Sequence, residues 1–182
     1  MLTGEEAQRI LDGAEEVCSA AEVAAAISRL ALEVTAQLGQ CQPLVLAVMD
    51  GAVVFAGQLL PQLSFPLEFD HLQVSRYGDD NAGGALSWLA EPRASVAGRT
   101  LLVVDDILDE GITLAAIKAR LLEQGAAAVY TAVLVEKDLG RDKPIAADFV
   151  GVTLPDRYLF GCGMDVSGCW RNLPAIYAVG RA

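Results

Sequence analysis

The sequence holds one histidine, His71, among 182 residues. Its four cysteines, Cys18, Cys41, Cys162 and Cys169, form no C-x-x-C pair. With a single imidazole to join them they cannot complete a convincing zinc site, and they read as reduced thiols, buried or half-buried. Cations are scarce too: 13 Lys and Arg stand against 24 Asp and Glu, a formal net charge of −11. A surface that acidic disfavours general binding to nucleic acid or to an anionic membrane, because both need a basic footprint. Long apolar runs are missing. Stretches 44–49, 101–104 and 126–135 fall well short of the ~20 residues a membrane-spanning helix needs, despite a mean hydropathy of +0.39. The opening MLTGEEAQRILDGAEE lacks the basic and apolar regions of a signal peptide, so a soluble, cytoplasmic protein is expected. There is no G-x-x-x-x-G-K-[ST] phosphate loop, and the G-x-G begun at Gly161 has Val166 where a dinucleotide fingerprint needs its third glycine.

What remains is an ordinary globular composition. The chain is 53% hydrophobic, with 17 Gly and 7 Pro spread along it, which suits one domain with a substantial core. Thr3 with Glu6, and Ser19 with Glu22, have the spacing of capping boxes. The second predicts a helix over 20–38, with Ile27, Leu30, Val34 and Leu38 on one stripe and Gly39 at its stop. Strand-length apolar runs follow at 44–49, 67–75, 100–104, 127–135 and 148–152, with a short strand at 85–90 and helices near 53–60 and 112–124. Strands buried on both faces and alternating with helices indicate an α/β domain with a mostly parallel twisted sheet. We expect one domain over 1–182, its core at about 40–153, with a small hood over one end from about 1–40 and 154–182.

The most informative stretch is LLVVDDILDEGITL, residues 101–114. An apolar strand runs into Asp105 and Asp106, then Asp109-Glu110-Gly111, then Thr113 at a helix start. Ligands sit at the carboxyl ends of strands in such sheets. A turn of backbone N–H groups feeding a helix N-terminus cradles phosphate, and a threonine hydroxyl adds a donor. Carboxylates just before that cradle suit a divalent cation or the hydroxyls of a sugar. Taken alone, the same pattern also fits the acidic pocket of a receiver domain, or a solvated acidic turn.

Residues 103–113 resemble the 5-phosphoribosyl-1-pyrophosphate (PRPP) binding motif of type I phosphoribosyltransferases. Over 44–179 the chain is similar to their 6-oxopurine branch, the hypoxanthine-guanine phosphoribosyltransferases. The resemblance runs through Met49-Asp50-Gly51-Ala52, Ser75-Arg76-Tyr77-Gly78 and Leu134-Val135-Glu136-Lys137, then through 147–151, Pro155-Asp156-Arg157-Tyr158, Gly161, Asp165 and Arg171. It implies the type I phosphoribosyltransferase fold. The implied reaction is Mg²⁺-dependent transfer of the phosphoribosyl group of PRPP to hypoxanthine or guanine, giving IMP or GMP and pyrophosphate in purine salvage. A homodimer or homotetramer is also implied.

The resemblance carries residue roles with it. Asp109 would accept a proton on the N7 side of the purine, which needs hydrogen-bond reach and a suitable pKa. Asp105 and Asp106 would face the ribose hydroxyls and, through them or water, the Mg²⁺. Glu110, Gly111, Ile112 and Thr113 would cradle the 5′-phosphate. Lys137, a donor only, would accept a 6-oxo group and reject adenine's amino group. Tyr158 would stack on the purine and the Leu159 backbone would meet its 2-position. Asp50 and Gly51 would form the pyrophosphate loop, with Arg171 nearby, and Asp165 would help hold the metal. Ser75, Arg76 and Tyr77 would belong to a mobile loop over the reacting centre. An acidic protein can then bind a polyanion, because the metal neutralises it and Arg76, Lys137 and Arg171 converge on it.

Two positions depart from the family pattern. Asp50 stands where a lysine is common, and Glu110 where threonine or serine is common; Glu110 is expected to point outward. Transfer to xanthine is a variant within the same mechanism. A PRPP-sensing regulator of RNA or DNA is a rival that the acidic balance and the presence of Asp109 both disfavour.

Overall fold

The computed structural model describes residues 2–76 and 86–180. Both capping boxes form. The Thr3 and Ser19 hydroxyls accept from the backbones of Glu6 and Glu22, whose carboxylates accept in return from the Thr3 and Ser19 N–H groups. They start α1 (Gly4–Asp12) and α2 (Ala20–Leu38). Between these helices lies a four-residue strand, β1 (Glu15–Cys18), which the acidic pair Glu15-Glu16 conceals in the sequence. Then follow β2 (Leu44–Met49), α3 (Val53–Leu59), β3 (Glu68–Arg76), β4 (Leu86–Ala90), β5 (Thr100–Leu108), α4 (Ile112–Glu123), β6 (Ala128–Asp138), β7 (Phe149–Pro155), β8 (Leu159–Phe160) and β9 (Ile176–Ala178).

Six strands form the central sheet in the order β4-β3-β2-β5-β6-β7. Every neighbouring pair is parallel except β3–β4, which closes one edge antiparallel. The chain leaves β2 for β3 on one side and returns to β5 on the other. The carboxyl ends of β2 and β5 therefore flank the crevice where strand order reverses, the usual ligand position in an open α/β sheet. One face of the sheet buries Leu44, Leu46, Leu101, Val103 and Val133 against Leu114, Ile117 and Leu121 of α4. The other buries Val45, Ala47, Leu102 and Val104 against α2 and α3.

A second, antiparallel sheet, β1-β9-β8, joins the two ends of the chain as a hood. Its residues Cys18, Leu159, Cys162 and Ile176 continue the cluster under α2 and α3. Arg157 pairs with Glu15, and the Trp170 indole donates to the Ala7 carbonyl, so α1 is tied in as well.

Two sequence-based expectations change. First, α2 lies on the central sheet and not in the hood: its stripe of Ile27, Leu30, Val34 and Leu38 is fully buried, and Arg29 donates to the Val150 and Gly151 carbonyls of β7. Nineteen residues with so wide an apolar stripe need a sheet face to cover them, which a three-stranded hood is too small to supply. Second, β5 does not stop at Val104 but runs on through both carboxylates to Leu108, because β6 continues to offer parallel partners as far as Leu108↔Glu136. Aspartate is a poor strand former, so the sequence alone places the pair in a turn.

The position of α2 is open to measurement. Leu30→Ala should cost about 2–5 kcal/mol, as for a core leucine. Urea denaturation would show a lower midpoint at an unchanged slope; a loss below about 1 kcal/mol would place α2 off the core.

Candidate active site

Asp105 and Asp106 are both buried, 9% and 8% exposed, at the carboxyl end of β5. The Asp106 N–H donates to Asp105 Oδ1 at 3.0 Å. Burial pushes the Asp105 carboxyl well above the ordinary carboxylate range, and the neighbouring Asp106 charge adds to the shift. Asp106 is also pushed up by burial, opposed by a hydrogen bond with Asp105 and by the Arg171 guanidinium. Burial and mutual repulsion both disfavour the doubly charged form of such a pair.

Space beside Asp106 is tight. A methyl group on Gly51, in the turn after β2, would overlap the Asp106 carboxylate. Gly163 of the C-terminal segment lies against the Gly51 carbonyl at φ +106°, where a side chain would both strain the backbone and collide. The turn after β2, the end of β5 and the C-terminal segment thus meet around the Asp106 side chain, with no room for a side chain at either glycine. Arg171 fastens the last of these: Nη1 donates to the Gly163 carbonyl at 2.6 Å, and Nη2 pairs with Asp165 Oδ1 at 2.5 Å.

Two cavities open here. The first is walled by Met49 and Gly51 of the β2 end, by Val74 of β3, by residues 105–111, and by Thr113, Leu114 and Arg171. It ends on the start of α4, where Gly111 takes the left-handed conformation at φ +82° and leads the chain into the helix. The second is walled by Lys137 at the end of β6, Tyr158, Leu159, Met164 and Asp165. Asp106, Ile107 and Asp109 belong to both walls. Across that junction the Lys137 ammonium, 11% exposed, donates to Asp109 Oδ2 at 3.1 Å, with Asp156 Oδ1 at 3.7 Å. The Tyr158 hydroxyl donates to the Asp165 carbonyl at 3.3 Å, leaving its ring half in solvent beside the second cavity.

The structure brings together most of the residues named from the sequence. Asp105, Asp106, Asp109, Glu110, Gly111, Thr113, Gly51 and Arg171 line the first cavity; Lys137, Tyr158 and Leu159 line the second. Asp50 does not join them, being exposed and outside both walls, so the β2 turn offers its glycine and not its carboxylate. Ile112 is 45% exposed and its side chain lines neither cavity. Ser75 stands near the end of β3, Arg76 is the last residue of that strand, and Tyr77 lies outside the described residues.

Asp165 lines the second cavity together with Asp106, and both of its carboxylate oxygens have partners. Arg171 holds its Oδ1, and the Gly168 N–H donates to its Oδ2 at 2.6 Å. Among the described residues no group of three or more His, Cys, Asp or Glu is placed to hold a metal ion. The buried pair Asp105–Asp106 still offers hard oxygen donors of the type Mg²⁺ takes. Two carboxylates plus ligand oxygens and water is a normal Mg²⁺ arrangement, so the donor set fits.

Glu110, in the wall of the first cavity, has Arg141 Nη2 at 3.0 Å from its Oε1. Sequence reasoning missed Asp156, Met164 and Gly163. For Gly163 a signal existed in Gly161-Cys162-Gly163, but its use is close chain approach and not nucleotide binding.

The chain matches a known domain family, the phosphoribosyl transferase domain, over residues 13–167. It is 33% identical over 156 residues to the hypoxanthine-guanine phosphoribosyltransferase of Bacillus subtilis, covering 85% of this chain and 87% of that one. To the hypoxanthine-guanine-xanthine phosphoribosyltransferase of Tritrichomonas foetus it is 35% identical over 153 residues, covering 82% of each. A crystal structure of a Bacillus anthracis hypoxanthine-guanine phosphoribosyltransferase superposes with a TM-score of 0.82 at 27% identity, over 91% of this chain and 97% of that one. A parallel sheet crossed at its switch point by an Asp-Asp strand end, and these matches along most of the chain, place it in the phosphoribosyltransferase family, among the hypoxanthine-guanine phosphoribosyltransferases.

Proposed function

We propose that the chain transfers the phosphoribosyl group of PRPP to hypoxanthine or guanine, forming IMP or GMP and pyrophosphate in purine salvage. The observation that carries this reading is the place of Asp109. It stands where the two cavities join, with the α4 start on one side and the Lys137 ammonium 3.1 Å away on the other. The first cavity takes the ribose 5-phosphate and pyrophosphate, the second the purine.

The backbone N–H groups at the α4 start, with the Thr113 hydroxyl, bind the 5′-phosphate. The ribose hydroxyls face Asp105 and Asp106. Arg171 lies at the diphosphate side, next to the Gly51 turn. A divalent cation, when bound, would be held by Asp105 and Asp106 together with substrate oxygens, and supplies neutralising charge for the departing diphosphate.

On the purine side, Lys137 donates to the 6-oxo group, Tyr158 stacks on the ring and the Leu159 backbone meets the 2-position. In the reaction the purine N9 electron pair forms the bond to C1′ as the bond from C1′ to the pyrophosphate oxygen breaks. The proton on N7 passes to the Asp109 carboxylate. In the free protein Asp109 and Lys137 hold each other, so an incoming 6-oxopurine replaces one charge-assisted contact with two, one to each residue. Assembly as a homodimer or homotetramer forms part of the same proposal.

Nucleotide formation from PRPP and Mg²⁺ with hypoxanthine, guanine, xanthine and adenine tests this directly. Hypoxanthine or guanine should turn over, adenine should not, and chelation should abolish turnover until Mg²⁺ is restored. Turnover of xanthine alone would retain the mechanism and change the substrate. PRPP binding without turnover of any base would favour the regulator.

Asp109→Asn should cut kcat by roughly 10²–10⁴-fold, the range for a lost general base, and leave the PRPP dissociation constant unchanged. Lys137→Ala should raise the purine KM and relax the preference for 6-oxo bases.

The buried acid pair predicts a trade between binding and stability. A carboxyl whose folded pKa is raised stabilises the fold fully only below its unfolded pKa of about 3.9, and that stability falls as pH rises toward the folded value. Asp105→Asn, which removes the penalty, should raise Tm at about pH 7, show little gain at about pH 3, and weaken PRPP binding. A Tm at neutral pH equal to or below the parent's would refute the burial penalty.

A further inference from the structure

Lys143 lies on the segment between β6 and β7, outside both cavity walls, with its side chain only 8% exposed. A buried ammonium is costly unless each of its three N–H groups finds an acceptor. Here three are present: the Leu108 carbonyl at 3.0 Å, the Lys137 carbonyl at 2.5 Å and Glu136 Oε1 at 3.4 Å. Neutralising the charge would need only Glu136. The two carbonyls are what give the contact a direction, since one lies at the end of β5 and the other on β6.

The β5–β6 ladder ends at Leu108↔Glu136. One step beyond it stand Asp109 and Lys137, with no ladder pairing to set their separation. Lys143 bridges that step. The segment bearing it is itself held firm: Asp148 accepts from the Thr131 N–H and hydroxyl, at 2.8 and 2.9 Å, and Pro144 and Ile145 pack at Gly111.

We propose that Lys143 is a positioning residue for phosphoribosyl transfer: its ammonium spans the ends of β5 and β6 and so fixes the approach of Asp109 to Lys137. The inference rests on the roles proposed above for those two residues. Lys143 itself touches neither substrate nor reacting atoms.

The test compares Lys143→Met, Lys143→Gln and Lys143→Arg with the parent, using kcat, purine KM, PRPP affinity and Tm. Lys143→Met should lower kcat/KM for hypoxanthine by roughly 10- to 100-fold, the scale on which displaced catalytic groups lose rate, while PRPP affinity is retained. Lys143→Arg, which can donate to both carbonyls, should recover much of that loss. If Lys143→Met does not fold, Lys143→Gln keeps two donors and serves in its place. Deuterium exchange of the amides at 108–111 and 136–138 should quicken in Lys143→Met, a readout that needs no turnover. An inert parent would therefore refute the proposed function while exchange still judged Lys143. Unchanged kcat and exchange would overturn the inference, as would parallel losses of kcat, PRPP affinity and Tm in all three variants.

Discussion

The contact among Gly51, Asp106 and Gly163 governs the rest of the site. Three stretches of chain distant in sequence approach so closely that a single Cβ at either glycine would force them apart. That approach adds to the shared apolar cluster in joining the hood to the sheet, and the second cavity lies beside it, with Asp106 and Met164 in its wall. Asp106 forms part of both cavity walls because it lies at the point of closure. Exclusion of water from the same place is what raises the pKa of the acid pair. Packing and electrostatics at the site are therefore one constraint: opening the glycine contact would solvate the carboxylates and separate the cavities together.

That constraint also explains how so acidic a chain accommodates a polyanion. The net charge of −11 repels phosphates at long range, so attraction has to be local. Among the described residues two cations line the cavities, Lys137 and Arg171, and in the free protein each holds a carboxylate, Asp109 and Asp165. These pairs hold both cations in the cavity walls, Lys137 at 11% exposure and Arg171 at 34%. The buried acid pair adds hard oxygen atoms whose charged form burial disfavours.

Much of this was legible in the sequence where local chemistry and tertiary context agree. Continuous apolar runs at 44–49 and 101–104 could only be strands covered on both faces, and the two capping boxes marked helix starts through a purely local exchange of hydrogen bonds. The motif at 103–113 gave Asp105, Asp106, Asp109 and Thr113 their common cavity. Illegible features were those that depend on a distant partner. β1 is two glutamates and two apolar residues, a strand only because β9 comes back to pair with it. β5 continues through two aspartates because β6 continues beside it. Asp165 is held by Arg171, six positions on, a pairing that no local pattern announces. Lys143 looks like a surface lysine among Arg141, Asp142 and Pro144, and only the ladder end beneath it gives its ammonium three acceptors.

Glu110 shows how one departure from a family pattern can be absorbed. A carboxylate before α4 sits near the positive end of the helix dipole, where it is favoured in the free protein and competes with a phosphate. Arg141 pairs with it at 3.0 Å. The pair is about half exposed, at 66% and 47%, and exposed pairs add little to stability, so its effect is on direction. Arg141 and Lys143 are two residues apart on one segment and grip the two residues that flank Asp109, Glu110 by its side chain and Leu108 by its carbonyl. The segment after β6 thus braces the end of β5 from outside, holding the Glu110 side chain with one cation and the Leu108 carbonyl with the other.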